Sequence, residues 1–198
     1  MPRTDHLTTL PDGLPVPHDD GAADHLPRAV LPDISLPATD GSAVNVGQLV
    51  ERTVIYAYPR TGEPDKEVPA DWDEIPGARG CTPQSCAFRD HYAELAALGA
   101  RVFGLSTQST AYQREAAERL HLPFPLLSDE DLSLTHAMNL PTFTFHGMTL
   151  LKRLTLIVRE GRVEHVMYPV FPPDRNAADV LAWLEAHPIA AEDYPPPS

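Results

Sequence analysis

Proline residues limit where regular structure can form in this chain of 198 residues. There are 22 prolines, roughly twice the usual share of about 5%. Because a proline lacks an amide hydrogen and blocks the interior of helices and sheets, regular elements are expected only between these positions. Seven prolines precede residue 40, four divide residues 59–76 and three lie close to the C-terminus. They separate a central block from two tails and from one long irregular segment.

The composition is that of a soluble globular protein. Apolar residues make up 42% of the chain and charged residues 22%, and 198 residues are enough for one compact core. The net charge of -13 has the wrong sign for binding phosphate backbones, so we expect no nucleic-acid partner. There is no stretch of about 18 apolar residues and no apolar run typical of a signal, so we expect no membrane partner and a cytoplasmic location.

Short apolar runs alternate with helical repeats along the central block. The predicted strands are residues 53–58, 101–106, 123–127, 154–158 and 163–168, and the predicted helices are residues 83–98, 112–120, 129–138 and 175–187, the last capped by Asp174. This order predicts an α/β fold of three layers, in which helices flank a mixed central sheet, and it fits a thioredoxin-like architecture. The domain is expected over residues 28–190, between a flexible N-terminal arm (1–27) and a proline-rich tail (191–198).

The two cysteines, Cys81 and Cys86, lie five residues apart, where a glycine-rich loop is predicted to enter the helix of residues 83–98. A single buried cysteine is usually a small apolar filler. Two thiols at this spacing in a reducing compartment favour a redox role instead. Because the amide groups at a helix N-terminus favour the nucleophilic thiolate, Cys81 is expected to attack an electrophile and Cys86 either to fill space or to resolve the product.

The spacing of the two cysteines also predicts a movement. Five helical residues correspond to a rise of about 7.5 Å and a rotation of roughly 140°. The two Cα atoms would then lie beyond the ~7 Å within which a disulfide can form. The start of the helix must therefore unwind before Cys81 and Cys86 can bridge.

Several motifs occur in an order that resembles one known family. They are Tyr58-Pro59, the segment Gly80-Cys81-Thr82-Pro83-Gln84-Ser85-Cys86 with Phe88-Arg89-Asp90, Gly104-Leu105-Ser106, the run from Leu122 to Asp129, and Arg153-Leu154-Thr155-Leu156-Ile157. Over about residues 30–187 the chain thereby resembles peroxiredoxins of the bacterioferritin-comigratory, or Q, subfamily.

The resemblance implies roles for individual residues. Cys81 would be the peroxidatic cysteine and Cys86 the resolving cysteine. Arg153, just ahead of a strand, would steady the thiolate and polarise the peroxide, because a fixed cation favours both negative charges. Gln84 and Arg89 also match the family helix, and a solvated helix face is the alternative for either side chain.

The chain departs from the family pattern ahead of the peroxidatic cysteine. The family has a proline, three residues, a threonine, two residues and then the cysteine, whereas Glu74 and Ala78 stand at the proline and threonine positions here. An acidic insertion at about residues 62–76 would restore the pattern, because the Pro-Arg-Thr run that ends at Thr61 keeps its first part. Thr61 would then orient the peroxide, and Thr82 is the alternative source of that hydroxyl.

The function implied by the resemblance is that of a thioredoxin-dependent peroxidase. It would reduce hydrogen peroxide and alkyl hydroperoxides, form a disulfide between Cys81 and Cys86, and be recycled by thioredoxin or a similar dithiol reductant, as a monomer rather than a dimer. We expect no cofactor, and two cysteines without clustered histidines predict no metal. Two alternatives stay open: a redox-sensing interaction module, and a general thiol-disulfide oxidoreductase, which normally uses Cys-x-x-Cys.

Overall fold

The computed structural model of the chain describes residues 5–190, which form nine strands and six α-helices. The strands are β1 (Ser35–Pro37), β2 (Ala43–Asn45), β3 (Thr53–Ala57), β4 (Arg101–Ser106), β5 (Leu126–Ser128), β6 (Thr142–Phe145), β7 (Met148–Leu151), β8 (Leu154–Arg159) and β9 (Arg162–Met167). The helices are α1 (Asp5–Thr8), α2 (Cys81–Asp90), α3 (Tyr92–Ala97), α4 (Thr110–Arg119), α5 (Ser133–Ala137) and α6 (Asn176–Ala186). The predicted tail at 191–198 lies outside the described residues.

A mixed five-stranded sheet with the order β5-β4-β3-β8-β9 forms the centre of the fold. Strands β3, β4 and β5 run parallel, while β8 pairs antiparallel with both β3 and β9. Because neighbouring side chains of a strand point to opposite faces, Ile55 of β3 enters one core cluster and Tyr56 enters the other. The predicted mixed sheet between helical layers and the thioredoxin-like fold are confirmed.

The second core cluster attaches α2 to the sheet. The rings of Tyr56 on β3 and Phe88 on α2 stack with centroids 4.4 Å apart, and both side chains are fully buried. The Tyr56 hydroxyl also lies 3.0 Å from Ser85 Oγ. Such a stacked aromatic pair contributes about 0.5–1.5 kcal/mol beyond its buried area. These contacts hold α2 in place about one turn (Ser85) and two turns (Phe88) beyond its first residue.

Several local details differ from the predictions. The single helix predicted over residues 83–98 begins earlier, at Cys81, and is divided into α2 and α3 at His91. Asp174 is not the cap of the last helix, because it lies inside a 3-10 turn (Pro173–Arg175) that precedes α6. The hairpin of β6 and β7 was not predicted, although its turn carries positive φ angles at His146 and Gly147, as a tight hairpin turn requires.

The N-terminal segment is packed against the domain, in contrast to the flexible arm expected over residues 1–27. Leu7, Ala23 and Leu26 are buried, and His25 Nε2 donates to the carbonyl of Met138 at 2.8 Å. The few apolar residues of this segment follow no helical or strand period, so sequence periodicity does not reveal their burial. Residues 1–4 of the predicted arm lie outside the described residues.

Residues 62–76, where we expected an insertion, pack on the hairpin of β6 and β7. Trp72 lies in a 3-10 turn (Ala70–Trp72) and its ring centroid is 4.8 Å from that of Phe145. His146 Nε2 lies 2.8 Å from a carboxylate oxygen of Asp71. The third apolar cluster of the molecule, built around Trp72 and Phe145, thus joins this segment to the hairpin beside the start of α2.

Candidate active site

Helix α2 begins at Cys81, directly after a glycine that no other residue can easily replace. Gly80 stands at the N-cap position with φ of 113°, a left-handed conformation that costs little only for glycine. A Cβ at Gly80 would also overlap Pro173 and lie 2.8 Å from a methyl group of Leu10. The predicted position of Cys81 at a helix N-terminus is therefore observed, where backbone amides and the helix dipole favour an anion.

Arg153 is the cation that meets the sulfur of Cys81. Its Nη2 lies 3.3 Å from Cys81 Sγ, and the same nitrogen donates to the carbonyls of Ala78 at 3.1 Å and Arg79 at 3.4 Å. Both side chains are only 3% exposed, so water screens their interaction weakly. Arg153 lies between the end of β7 and the start of β8, as predicted, and its contacts hold the loop that leads to Cys81.

A buried polar network positions the guanidinium of Arg153. Its Nη1 donates to Gln84 Oε1, and Gln84 Nε2 donates to Asn176 Oδ1 at 2.9 Å. Thr155 Oγ1 donates to the same Asn176 oxygen at 2.7 Å. Gln84 is fully buried, which excludes the solvated helix face as its environment. Sequence reasoning missed Asn176, because a lone asparagine near a helix start usually serves as a cap.

Thr61 is brought to the same pocket as Cys81 by contacts of its backbone. Its amide donates to Gln108 Oε1 at 3.2 Å, and its carbonyl accepts from the Tyr112 hydroxyl at 2.6 Å. The side chain is 1% exposed, yet Thr61 Oγ1 has no hydrogen-bond partner among residues 5–190. An unpaired buried hydroxyl costs about 1–3 kcal/mol and is normally satisfied. Thr61 therefore has a hydrogen-bonding capacity that the described part of the chain does not use.

The pocket beside Cys81 has a volume of about 150 Å³. Its lining includes Cys81, the two threonines that could supply the hydroxyl (Thr61 and Thr82) and three large apolar side chains (Leu7, Trp72 and Phe145). Thr82 follows Cys81 in α2 and is buried, so it keeps its place as the alternative source of the hydroxyl. Leu7 was not singled out from the sequence, and nothing in its local pattern indicates this position.

Cys86 lies on the second turn of α2 and has a different environment. Its thiol is free and half-buried, and burial raises its pKa, an effect that the positive charge of Arg89 partly offsets. Arg89 itself donates to the carbonyl of Leu120 at 2.8 Å and to Asp90 at 3.0 Å. The charge of Arg89 thus acts on the thiol of Cys86. The two cysteines are not joined in this structure, in which both are reduced.

Two other classes of site are absent from the part of the chain that the structure describes. No group of three or more histidine, cysteine, aspartate or glutamate side chains there could hold a metal ion. No helix among those residues is long and apolar enough to cross a bilayer. The site described above is therefore built from a thiol, a guanidinium, amides and hydroxyls.

Comparison with known proteins agrees with this site. A profile of the Redoxin family matches residues 27–181. The chain is 31% identical over 163 residues to peroxiredoxin Bcp of Escherichia coli (strain K12), a match that covers 80% of this chain and 94% of that protein. This chain belongs to the peroxiredoxin Q/Bcp family.

Other peroxiredoxins match at similar levels. Chloroplastic peroxiredoxin Q of rice (Oryza sativa subsp. japonica) is 32% identical over 160 residues, which cover 80% of this chain. The chain spans only 66% of the length of that relative. The crystal structure of peroxidoxin BcpB from Mycobacterium tuberculosis superposes with a TM-score of 0.67 at 26% identity, over 83% of this chain and 100% of that chain. The matched region thus corresponds to a peroxiredoxin domain. Residues before 27 lie outside the family profile.

Proposed function

We propose that this peroxiredoxin is a thiol-dependent peroxidase that reduces hydrogen peroxide and alkyl hydroperoxides at Cys81. The contact of 3.3 Å between Arg153 Nη2 and Cys81 Sγ is the observation that supports this most directly. A thiol at a helix start, with a fixed cation at its sulfur, is placed to attack a peroxide while the guanidinium stabilises the negative charge that develops on the leaving oxygen. The small adjoining pocket provides room for the second reactant.

In the first step, the Cys81 thiolate attacks one oxygen of the peroxide. The S–O bond forms as the O–O bond breaks, so the sulfur is oxidised to a sulfenic acid and the peroxide is reduced to an alcohol or to water. Negative charge moves from sulfur to the leaving oxygen, which then takes up a proton. Arg153 stabilises both charges, and the unpaired Thr61 hydroxyl is available to bind the peroxide oxygen.

In the second step, the Cys86 thiolate attacks the sulfur of the Cys81 sulfenic acid. The disulfide forms and the oxygen leaves as water after protonation. A dithiol such as thioredoxin then reduces the disulfide by thiol exchange and is itself oxidised. Because both cysteines lie in α2, the first turn of that helix must open before the two sulfurs can meet.

A coupled assay tests this proposal. Peroxide consumption would be followed in the presence of thioredoxin, its reductase and NADPH, for the wild type and for Cys81→Ser and Cys86→Ser. The wild type should turn over continuously, and Cys81→Ser should consume no peroxide above the background. Cys86→Ser should react once with peroxide and then stop with this reductant. Equal consumption by the wild type and Cys81→Ser would contradict the proposal.

The same assay separates the two alternative functions. A general thiol-disulfide oxidoreductase would exchange disulfides with little consumption of peroxide, and a redox sensor would be oxidised without sustained turnover. We also propose that the protein works as a monomer in the cytoplasm, where thioredoxin and glutathione keep thiols reduced. A molar mass measured by light scattering for the reduced and oxidised protein tests the oligomeric part.

A further inference from the structure

The pocket of Cys81 has one wall that comes from the N-terminal segment. Leu7, in the short helix α1, lines this pocket together with Thr61 and Cys81 and is only 5% exposed. The lining also includes the apolar side chains of Val68 and Trp72, beside charged side chains such as Glu63 and Lys66. A buried apolar side chain in the wall of this pocket reduces the space through which a reactant can approach Cys81.

The N-terminal segment also contacts the residues next to both proposed catalytic groups. A Cβ added to Gly62, which follows Thr61, would lie 2.5 Å from Leu7 Cδ2. A Cβ added to Gly80, which precedes Cys81, would lie 2.8 Å from Leu10 Cδ2. Two leucines of one segment therefore pack closely on the two stretches of backbone that carry the hydroxyl and the thiol.

The far end of this segment is attached next to Arg153. Asp20 accepts hydrogen bonds from Lys152 Nζ and from the Tyr168 hydroxyl, each at 2.7 Å. These bonds hold the pKa of Asp20 well below its usual range, so its carboxylate stays charged at neutral pH. The segment is thus held at Leu7, in the pocket of Cys81, and at Asp20, beside the neighbour of Arg153 in the chain. All of it precedes residue 27, where the match to the family profile begins.

We propose that Leu7 is a specificity-determining residue, which narrows the peroxide pocket and selects small peroxides over bulky ones. With Leu7 in place the cavity measures about 150 Å³. Pockets that enclose drug-sized ligands usually have about 300–1,000 Å³. The cavity therefore suits hydrogen peroxide and short alkyl hydroperoxides, and a hydroperoxide with a bulky aromatic group meets the Leu7 side chain.

The selection of peroxides by size rests on the proposed peroxidase function, but the barrier that Leu7 forms to bulky reagents can be tested without that function. In a Cys86→Ser background, the rate at which Cys81 reacts would be measured by intact mass for N-methylmaleimide and N-benzylmaleimide. These reagents carry the same electrophile and differ in bulk. The rates of Cys81 oxidation by hydrogen peroxide and by cumene hydroperoxide would be measured in parallel. The variants are Leu7→Val and Leu7→Ala, which remove increasing volume.

The expected result is a graded change in the ratio of the bulky to the small rate. The ratio should rise from the wild type through Leu7→Val to Leu7→Ala, by about tenfold at the end of the series, the low end of what pocket shape contributes to discrimination. Val16→Ala is the matched control, because Val16 belongs to the same segment and is 56% exposed. Its ratios should equal those of the wild type.

Unchanged maleimide ratios in both Leu7 variants would overturn the inference, as would an equal rise in Val16→Ala. A graded maleimide ratio together with an ungraded peroxide ratio would overturn the selection of peroxides by size. A Cys86→Ser protein with Leu7 intact that reacts with maleimides and with neither peroxide would contradict the proposed peroxidase, while the graded maleimide ratio would still support the barrier formed by Leu7. These outcomes therefore distinguish a failure of the Leu7 barrier, of peroxide selection by size and of the peroxidase activity.

Discussion

Arg153 Nη2 lies 3.3 Å from Cys81 Sγ, although the two residues are 72 positions apart in the chain. The same nitrogen holds the carbonyls of Ala78 and Arg79, so the guanidinium fixes the loop and meets the sulfur at once. A lysine has one compact charge and no planar fork, and it cannot make all of these contacts together.

Arg153→Lys should therefore slow the oxidation of Cys81 strongly. The second-order rate constant for hydrogen peroxide is expected to fall by about 10²–10³, the usual cost of removing one oriented donor from a developing negative charge. It can be measured by stopped-flow tryptophan fluorescence or by quenched intact mass. Arg101→Lys is the matched control, since Arg101 is half-exposed and pairs with Glu51 at 3.7 Å. Similar rates in both variants would remove Arg153 from the chemistry.

Thr61→Val should reduce turnover without reducing stability. The Thr61 hydroxyl is buried and has no partner within residues 5–190, so replacing it by a methyl group removes an unsatisfied polar atom. We expect the free energy of unfolding to stay equal or to rise, and the rate with peroxide to fall by about tenfold or more. Denaturant unfolding and stopped-flow oxidation measure the two quantities. Normal turnover in Thr61→Val with a loss in Thr82→Val would assign the hydroxyl to Thr82.

The rate of disulfide formation should rise with pH. Burial raises the pKa of Cys86 above its ordinary value of 9.0, so its thiol is protonated at neutral pH. Because the thiolate is the nucleophile, the rate should rise about tenfold for each unit by which the pH increases, as long as the pH stays below this pKa. The disappearance of the Cys81 sulfenic acid, followed by quenched mass spectrometry between pH 6 and pH 9, checks this. A rate that falls as the pH rises over that range would contradict resolution by the Cys86 thiolate.

Oxidation should loosen the start of α2. Cys81 and Cys86 are both within this helix, and they cannot bridge while it is intact. Amide hydrogen exchange in residues 81–88 is expected to be faster in the oxidised than in the reduced protein, and α4 should keep its protection. Cys86→Ser treated with peroxide is the matched control, because it forms the sulfenic acid without the disulfide. Equal protection of residues 81–88 in both states of the wild type would contradict the opening of the helix.

Much of the fold could be predicted because its signals are local. The apolar run of β3, the hairpin of β8 and β9 and the cysteine at the start of α2 each depend on residues that are adjacent in sequence. The position of Arg153 just before β8 could be predicted in the same way, from the apolar run of that strand. These local patterns could not predict which distant residues meet at the site.

The elements missed by sequence reasoning depend on contacts between distant residues. Asn176 enters the site because α6 packs on α2, and Leu7 enters the pocket because the N-terminal segment crosses Gly62 and Gly80. The expectation of a flexible arm over residues 1–27 did not include the packing of Leu7, Ala23 and Leu26 on the domain, for the same reason. The burial of Leu26 comes from the domain surface that it meets and not from a repeat within the segment.

In the proposed mechanism, Cys81 is oxidised first and passes its oxidation to Cys86. Intact mass after one equivalent of hydrogen peroxide, with and without a sulfenic-acid trap, tests it in a single measurement. The wild type should lose two hydrogen atoms, Cys86→Ser should gain one oxygen that the trap captures at Cys81, and Cys81→Ser should not change. Oxidation of Cys86 in the Cys81→Ser variant at the wild-type rate would contradict this order of oxidation.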